Sequence, residues 1–255
     1  MPGQNQRFAV IAGLALWLAL CGTARGADVR LAVAANFTDT GNELIAAFAE
    51  ATGRQASASY GSTGKLYAQI RHGAPFDVFM AADRRRPELL EDNGLGVKGT
   101  RFTYARGQLV LWSPQSGLLE APETWLASKD FTRLAIANPK TAPYGMAARE
   151  VLIRLDLWAP LQQRLVRGDS IAQTFQFVAT ANAQAGFVAL SQIRAWNENE
   201  GSLWRIPSAY YSPINQQAIL LTRGERNPAA RQWLEFLRSE TARSIIERYG
   251  YDTRN

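Results

Sequence analysis

The 255-residue sequence holds one cysteine and one histidine. Cys21 sits in an apolar run near the N-terminus, so a chain that loses that segment has no thiol. Disulfides, thiolate metal sites and cysteine nucleophiles are then excluded. A lipid-anchored reading needs a small residue just before the cysteine, and Leu20 stands there. His72 closes a helical pattern before Gly73, which is the place of an exposed helix-end residue rather than of a base. His/Cys clusters of the zinc type are missing, as is the Gly-x-Ser-x-Gly of a hydrolase elbow. Long apolar runs are lacking too. Phe8 to Cys21 is too short for a membrane span of about 20 residues. Arg7 precedes it, and the small residues Gly22, Thr23, Ala24 and Gly26 follow. This pattern reads as a secretory signal over residues 1–26, cleaved after Ala24 or Gly26.

Charge of one sign is also scarce. The formal net charge is +6, and loss of Arg7 and Arg25 lowers it by two. The one basic run, Arg84-Arg85-Arg86, reads as a solvated helix start. Without a basic stripe interleaved with aromatics, nucleic acid is not an expected partner. A mildly positive surface can still collect anions. The seven tryptophans are scattered and read as core packing rather than a sugar-stacking platform.

What is present is an alternation of strand and helix signals. Val29 to Ala35, Gln55 to Tyr60 and Asp77 to Ala82 read as strands. Between and after them, Thr38 to Thr52, Lys65 to Arg71 and Pro87 to Asn93 carry apolar residues at helical spacing. Further strands are expected at Gln108 to Ser113, Leu134 to Ala137, Gly186 to Leu190 and Gln216 to Thr222. Helices are expected at Met146 to Leu157, Ile171 to Ala181 and Pro228 to Tyr249. Such alternation predicts an α/β fold with mixed sheets flanked by helices. Two similar βα blocks around one long excursion suggest two lobes, 28–107 plus 211–255 and 108–210, with a cleft between them.

Four loops open helix patterns in a way that suits an anion. They are Ala34 to Thr38, Gly61 to Lys65, Asn138 to Gly145 and Gly168 to Ile171. A helix start offers unpaired backbone N–H groups and the positive end of the macrodipole. Each loop also has a plainer reading. Asn36 is a good N-cap. Gly61-Ser62-Thr63-Gly64-Lys65 resembles a nucleotide loop, but Ser59 and Leu66 occupy places that motif reserves for Gly and Ser/Thr. Pro143-Tyr144-Gly145 is a rigid turn, and Asp169 or Ser170 can cap a helix. Asp77 and Asp83, flanking one strand, read as loop and cap residues rather than a catalytic pair.

Taken together, VAANF, YGSTGKLYAQI, GAPFDVFMAAD, FTYARGQLVLWS, IANPKTAPYGMAA, GFVAL and the terminal ERYGY carry a resemblance. From Asp28 to about Thr253 the chain resembles the periplasmic molybdate-binding proteins of ABC importers. The resemblance implies a two-lobed type II periplasmic binding fold holding tetrahedral molybdate or tungstate in its cleft. It implies ligand contacts from Asn36 and Thr63 by side chain and backbone, and from the backbone N–H of Tyr144 and Ile171. The resemblance also implies a further contact from Ala35. Many members have a tyrosine hydroxyl donor where Ala189 stands here, and some have a hydroxyl residue at the place of Ala35.

The expected protein is therefore a periplasmic receptor and not an enzyme. It needs no cofactor, takes molybdenum only as an oxyanion, acts as a monomer and delivers to a membrane permease. Donor-only walls should reject hydrogen phosphate, whose proton needs an acceptor, and cavity size should reject sulfate. The alternatives are a receptor for sulfate, phosphate or a small organic acid, a hydrolase or phosphotransferase using Ser62 or Thr63, and a regulatory sensor.

Overall fold

A computed structural model describes residues 27–196 and 201–253. The expected signal segment lies outside the described residues. In chain order the first elements are β1 (Val29–Ala34), α1 (Thr38–Thr52), β2 (Ala56–Gly61), α2 (Thr63–Arg71), β3 (Val78–Ala81), α3 (Arg85–Asp92) and β4 (Phe102–Gly107). Next come β5 (Leu109–Ser113), α4 (Pro122–Ser128), β6 (Leu134–Ala137), α5 (Pro143–Arg154), β7 (Leu165–Gly168) and α6 (Ile171–Ala179). After β8 (Ala185–Ala189), α7 (Leu190–Ala195) and β9 (Ser202–Arg205), the chain returns through β10 (Ile214–Leu220) and ends in α8 (Pro228–Phe236) and α9 (Glu240–Arg248).

These strands form two five-stranded mixed sheets, ordered β2-β1-β3-β10-β4 and β7-β6-β8-β5-β9. Each sheet has a parallel trio centred on its first helix-linked strand, β1 in one and β6 in the other. Each is completed by two antiparallel strands. The two sheets thus share one connectivity, and each is flanked by helices, giving a two-lobed α/β fold. The first sheet uses residues on both sides of the second in sequence. The chain crosses between them where β4 gives way to β5 and where β9 gives way to β10.

Period-two alternation explains why both faces of a sheet are covered. Leu31 and Val33 of β1 pack into one cluster with Phe48 and Trp233, while Ala32 joins Leu66, Ile70 and Leu90 on the other face. The rings of Phe48 and Trp233 meet edge to face at 5.1 Å. Both residues are fully buried, and truncation of either to Ala costs about 3–5 kcal/mol. In the second sheet, Leu109 and Leu111 face one cluster, and Val110 and Trp112 the other.

Three strands, β4, β7 and β9, and two helices, α4 and α7, were not expected from the sequence. Helix α5 starts at Pro143 rather than Met146, because Pro at the first helical position is preset for the helix and needs no N–H there.

Candidate functional site

The parallel strands set the site. Ala34 at the end of β1 is in register with Gly61 at the end of β2. In the other sheet, Ala137 and Gly168 end β6 and β7 in the same way. Loops leaving the carboxyl ends of neighbouring parallel strands converge, the usual place for a ligand in such sheets. Here the four loops meet between the lobes around one cavity. Its walls are Ala34, Ala35 and Asn36 after β1, Gly61, Ser62 and Thr63 after β2, Ala82 after β3, Ala142, Pro143 and Tyr144 before and at the start of α5, and Ile171 at the start of α6. All five residues singled out from the sequence, Ala35, Asn36, Thr63, Tyr144 and Ile171, are therefore brought together. Ala189 is not a wall residue; its N–H donates to Gln192 Oε1 at 3.0 Å.

The cavity is small, about 10 Å³ open to the centre of a water molecule. That is the scale of one very small guest, far below the several hundred Å³ of a typical organic-ligand pocket. No wall residue is charged. Cations at its rim are already matched. Lys65 pairs with Asp169 at 2.7 Å across the lobes, and Arg86 pairs with Asp83.

The helix starts around it are bare. Neither Ala34, which precedes the 3-10 turn Ala35–Phe37, nor Ser62 before α2, nor Ala142 before α5 makes a side-chain cap. Ser62 Oγ is buried and has no hydrogen-bond partner among the described residues. Only α6 is capped, by Ser170 Oγ accepting from Gln173 N at 3.3 Å. That cap leaves Ile171 free of it. Away from the cavity, Asn227 caps α8 and Ser239 caps α9. Uncapped first-turn N–H groups keep their donor capacity for something other than the protein.

Two glycines let the walls close. A Cβ on Gly145 would stand 2.2 Å from the carbonyl oxygen of Ala137, so only glycine lets α5 start so near the end of β6. A Cβ on Gly64 would stand 2.9 Å from Thr141 Cα and O. There the lobes touch directly: Gly64 N–H donates to the Thr141 carbonyl at 2.8 Å. Arg86 Nη2 adds a bond to the Lys140 carbonyl at 3.2 Å. Asp83 Oδ1 accepts from Arg86 N–H at the start of α3, in line with its expected cap role.

The wall side chains differ in what they can still offer. Thr63 Oγ1 accepts from Ala82 N–H at 3.1 Å, which leaves its own hydrogen to donate. Asn36 departs from expectation. Its Nδ2 donates to Gln216 Oε1 at 2.8 Å and to Tyr251 Oη at 3.0 Å, and these take both amide hydrogens. Tyr144 is buried with its ring in the core, and its hydroxyl makes no hydrogen bond among the described residues, although Asn36 lies close by. Burial, reinforced by neighbouring tyrosines, pushes that hydroxyl's pKa well above the usual tyrosine value. Tyr144 is thus neutral at ordinary pH, and no wall residue changes charge there. The Gln216 and Tyr251 partners of Asn36 lie far away in sequence and carried no local signal.

The described residues contain no His/Cys/Asp/Glu cluster able to hold a metal ion. No helix among them is long and apolar enough to cross a membrane. A model of bacterial extracellular solute-binding proteins matches residues 29–252. The chain belongs to that solute-binding family. It is a receptor of this family rather than an enzyme. The molybdate-binding protein ModA of Azotobacter vinelandii is 46% identical over 243 residues, spanning 95% of this chain and 96% of the relative. ModA of Rhodobacter capsulatus is 44% identical over 240 residues, 94% of each chain. Among solved structures, the Azotobacter vinelandii periplasmic molybdate-binding protein superposes with a TM-score of 0.85 at 40% identity, covering 89% of this chain and all of that one.

Proposed function

We propose that this solute-binding protein receives molybdate, and tungstate with it, in the cavity between its lobes, for delivery to an ABC importer. The observation that carries this reading is the convergence of four loop ends, three of them without a side-chain cap, on one small uncharged cavity. The similarity to two molybdate-binding proteins over nearly their whole length supports it. The donors assigned are the backbone N–H groups of Ala35, Asn36, Tyr144 and Ile171 and the hydroxyl of Thr63. Hydrogen bonds to an ionised acceptor are roughly twice as strong as neutral ones, so neutral donors suffice for a dianion. A wall that offers mainly N–H donors disfavours hydrogen phosphate, whose proton needs an acceptor. A tetrahedron smaller than molybdate cannot reach all donors together, which disfavours sulfate. Closure of the lobes over the anion is supported by two contacts between them, the Gly64–Thr141 bond and the Lys65–Asp169 pair. No further cofactor is needed. Residues 1–26 act as the export signal, and the mature chain works as a periplasmic monomer docking on a membrane permease.

Calorimetry and thermal shift test this. At a molybdate concentration about 100 times Kd, binding adds about 2.7 kcal/mol of stability. For a chain of this size that raises Tm by about 5–10 °C. Tungstate should do the same, and equimolar sulfate should leave Tm within about 1 °C of the free protein. Equal stabilisation by sulfate refutes the size argument, and no response to molybdate refutes the reading.

A further inference from the structure

We propose that Tyr251 and Ser191, neither of which lines the cavity, are positioning residues that aim the Asn36 backbone N–H at the anion. The inference rests on Asn36 being an anion donor. Three buried groups close a ring beneath it. Asn36 Nδ2 donates to Tyr251 Oη at 3.0 Å, Tyr251 Oη donates to Ser191 Oγ at 2.8 Å, and Ser191 Oγ donates to the Asn36 carbonyl at 2.9 Å. Tyr251 Oη also lies 2.8 Å from that carbonyl. The chain of donors runs head to tail from the Asn36 side chain back to its own main chain, an arrangement in which each bond polarises the next. Asn36, Ser191 and Tyr251 are each at most 5% exposed, so water does not compete. Holding one residue by side chain and carbonyl together fixes its dihedrals, and with them the direction of its N–H.

The ring is itself anchored. Arg106 and Asp252 exchange backbone bonds of 2.7 and 3.1 Å, fastening the C-terminal tail to β4 just before the chain crosses to the other lobe. The Tyr251 ring packs on Phe37 at 5.1 Å. Ser191 comes from α7, beside the second sheet. Both lobes and the tail thus meet under the one residue whose amide hydrogens are already spent.

Tyr104 provides a graded control. Its ring also packs on Phe37 at 5.1 Å, and its buried hydroxyl bonds the Ala81 carbonyl at 3.3 Å and, at 3.4 Å, the Gln216 Oε1 that accepts from Asn36, with no bond to Asn36 itself. The experiment compares Y251F, S191A and Y104F with the wild type, each uniformly labelled with nitrogen-15. The first readout is the Asn36 amide resonance in anion-free protein, which needs no ligand. The second is the molybdate Kd by calorimetry. Y251F and S191A should each shift the Asn36 amide and weaken molybdate about tenfold, and the double variant should lose little more than the worse single, since one break opens the ring. Y104F should move both readouts far less than Y251F, because its hydroxyl reaches Asn36 only through a 3.4 Å bond to Gln216. An unmoved Asn36 amide in both Y251F and S191A overturns the proposal, as does equal weakening by Y104F. If the wild type takes no molybdate, the functional reading fails, and the amide resonance alone still decides the positioning role.

Discussion

In the first lobe, the loops after β1 and β2 bring Asn36, Ser62 and Thr63 to the cavity, all with polar side chains. The equivalent loops after β6 and β7 in the second lobe bring Ala142, Pro143, Tyr144 and Ile171. Those side chains are apolar or, in Tyr144, buried in the lobe's own core. One connectivity has been used twice, yet only the first copy presents free side-chain hydrogens on the wall outside its own core, those of the Thr63 and Ser62 hydroxyls. The second copy can donate only through its main chain. It follows that mutational sensitivity should invert between lobes. Side-chain deletions matter in the first, and only changes to the backbone matter in the second.

The sharpest way to break this contrast is Ile171→Pro. Position 171 is the first residue of α6, where proline fits the helix backbone and removes the N–H together with part of the buried isoleucine side chain. Ser170 before it is already extended, with ψ 168°, as a residue preceding proline must be. Loss of one N–H to a charged guest is worth about 1.5–3 kcal/mol, so the molybdate Kd should rise roughly 10- to 150-fold. Ile171→Val keeps the N–H and most of the buried side chain, and should stay within about threefold. Calorimetry on the pair, with Tm recorded for each, checks this. If both variants bind alike, the second lobe does not donate through its backbone at this point.

Thr63→Ala probes the opposite lobe and should have the next largest effect. It removes the hydroxyl hydrogen offered to the cavity and strands the Ala82 N–H that the oxygen accepts. A loss of about 1–2 kcal/mol predicts roughly tenfold weaker molybdate binding and a Tm lower by a few degrees. Thr63→Ser keeps the hydroxyl and should restore both. Wild-type affinity in Thr63→Ala would leave the contrast resting on the Ser62 hydroxyl alone.

The strands that were readable in the sequence, and those that were not, divide by position in the sheets. Strands β1, β3, β10, β5, β6 and β8 have two neighbours each, are almost wholly buried and, apart from Arg30 in β1, Ser113 in β5 and Asn215 to Gln217 in β10, appear as apolar runs. The sheet edges are β2, β4, β7 and β9. Of these β2 showed only a weak alternation, and β4, β7 and β9 went unseen. An edge strand has one partner and one open side, so FTYARG, LVRG and SLWR carry charged or half-exposed residues that blur the pattern. Helix α7 was hidden because the apolar run of β8 continues into it. The site loops were legible because glycine, proline and small polar residues at strand ends follow local rules. The bonding state of Asn36 was not, because its partners stand 180 and 215 residues away.

Tyr144→Phe should have the smallest effect on binding and is the most direct check on the second lobe. A desolvated hydroxyl with no hydrogen bond among the described residues adds little to the folded state, so its removal costs little. The backbone N–H of residue 144 survives the change. Molybdate affinity should therefore stay within about twofold of wild type, and Tm should hold or rise by a few degrees. The pH dependence carries a sign. Burial first, and neighbouring tyrosines second, hold the Tyr144 pKa well above its unfolded value of about 10. A group with a raised folded pKa stabilises fully below the unfolded pKa and loses that contribution as pH climbs toward the folded one. Wild type and Tyr144→Phe should then keep a constant difference in Tm below about pH 9. Above about pH 10 the wild type should fall faster, and the remaining decline of the variant reflects the other tyrosines whose pKa values burial raises, Tyr60, Tyr104, Tyr211 and Tyr251 among them. A loss of molybdate binding in Tyr144→Phe as large as that in Thr63→Ala would show a side-chain donor in the second lobe and remove the asymmetry between the two copies.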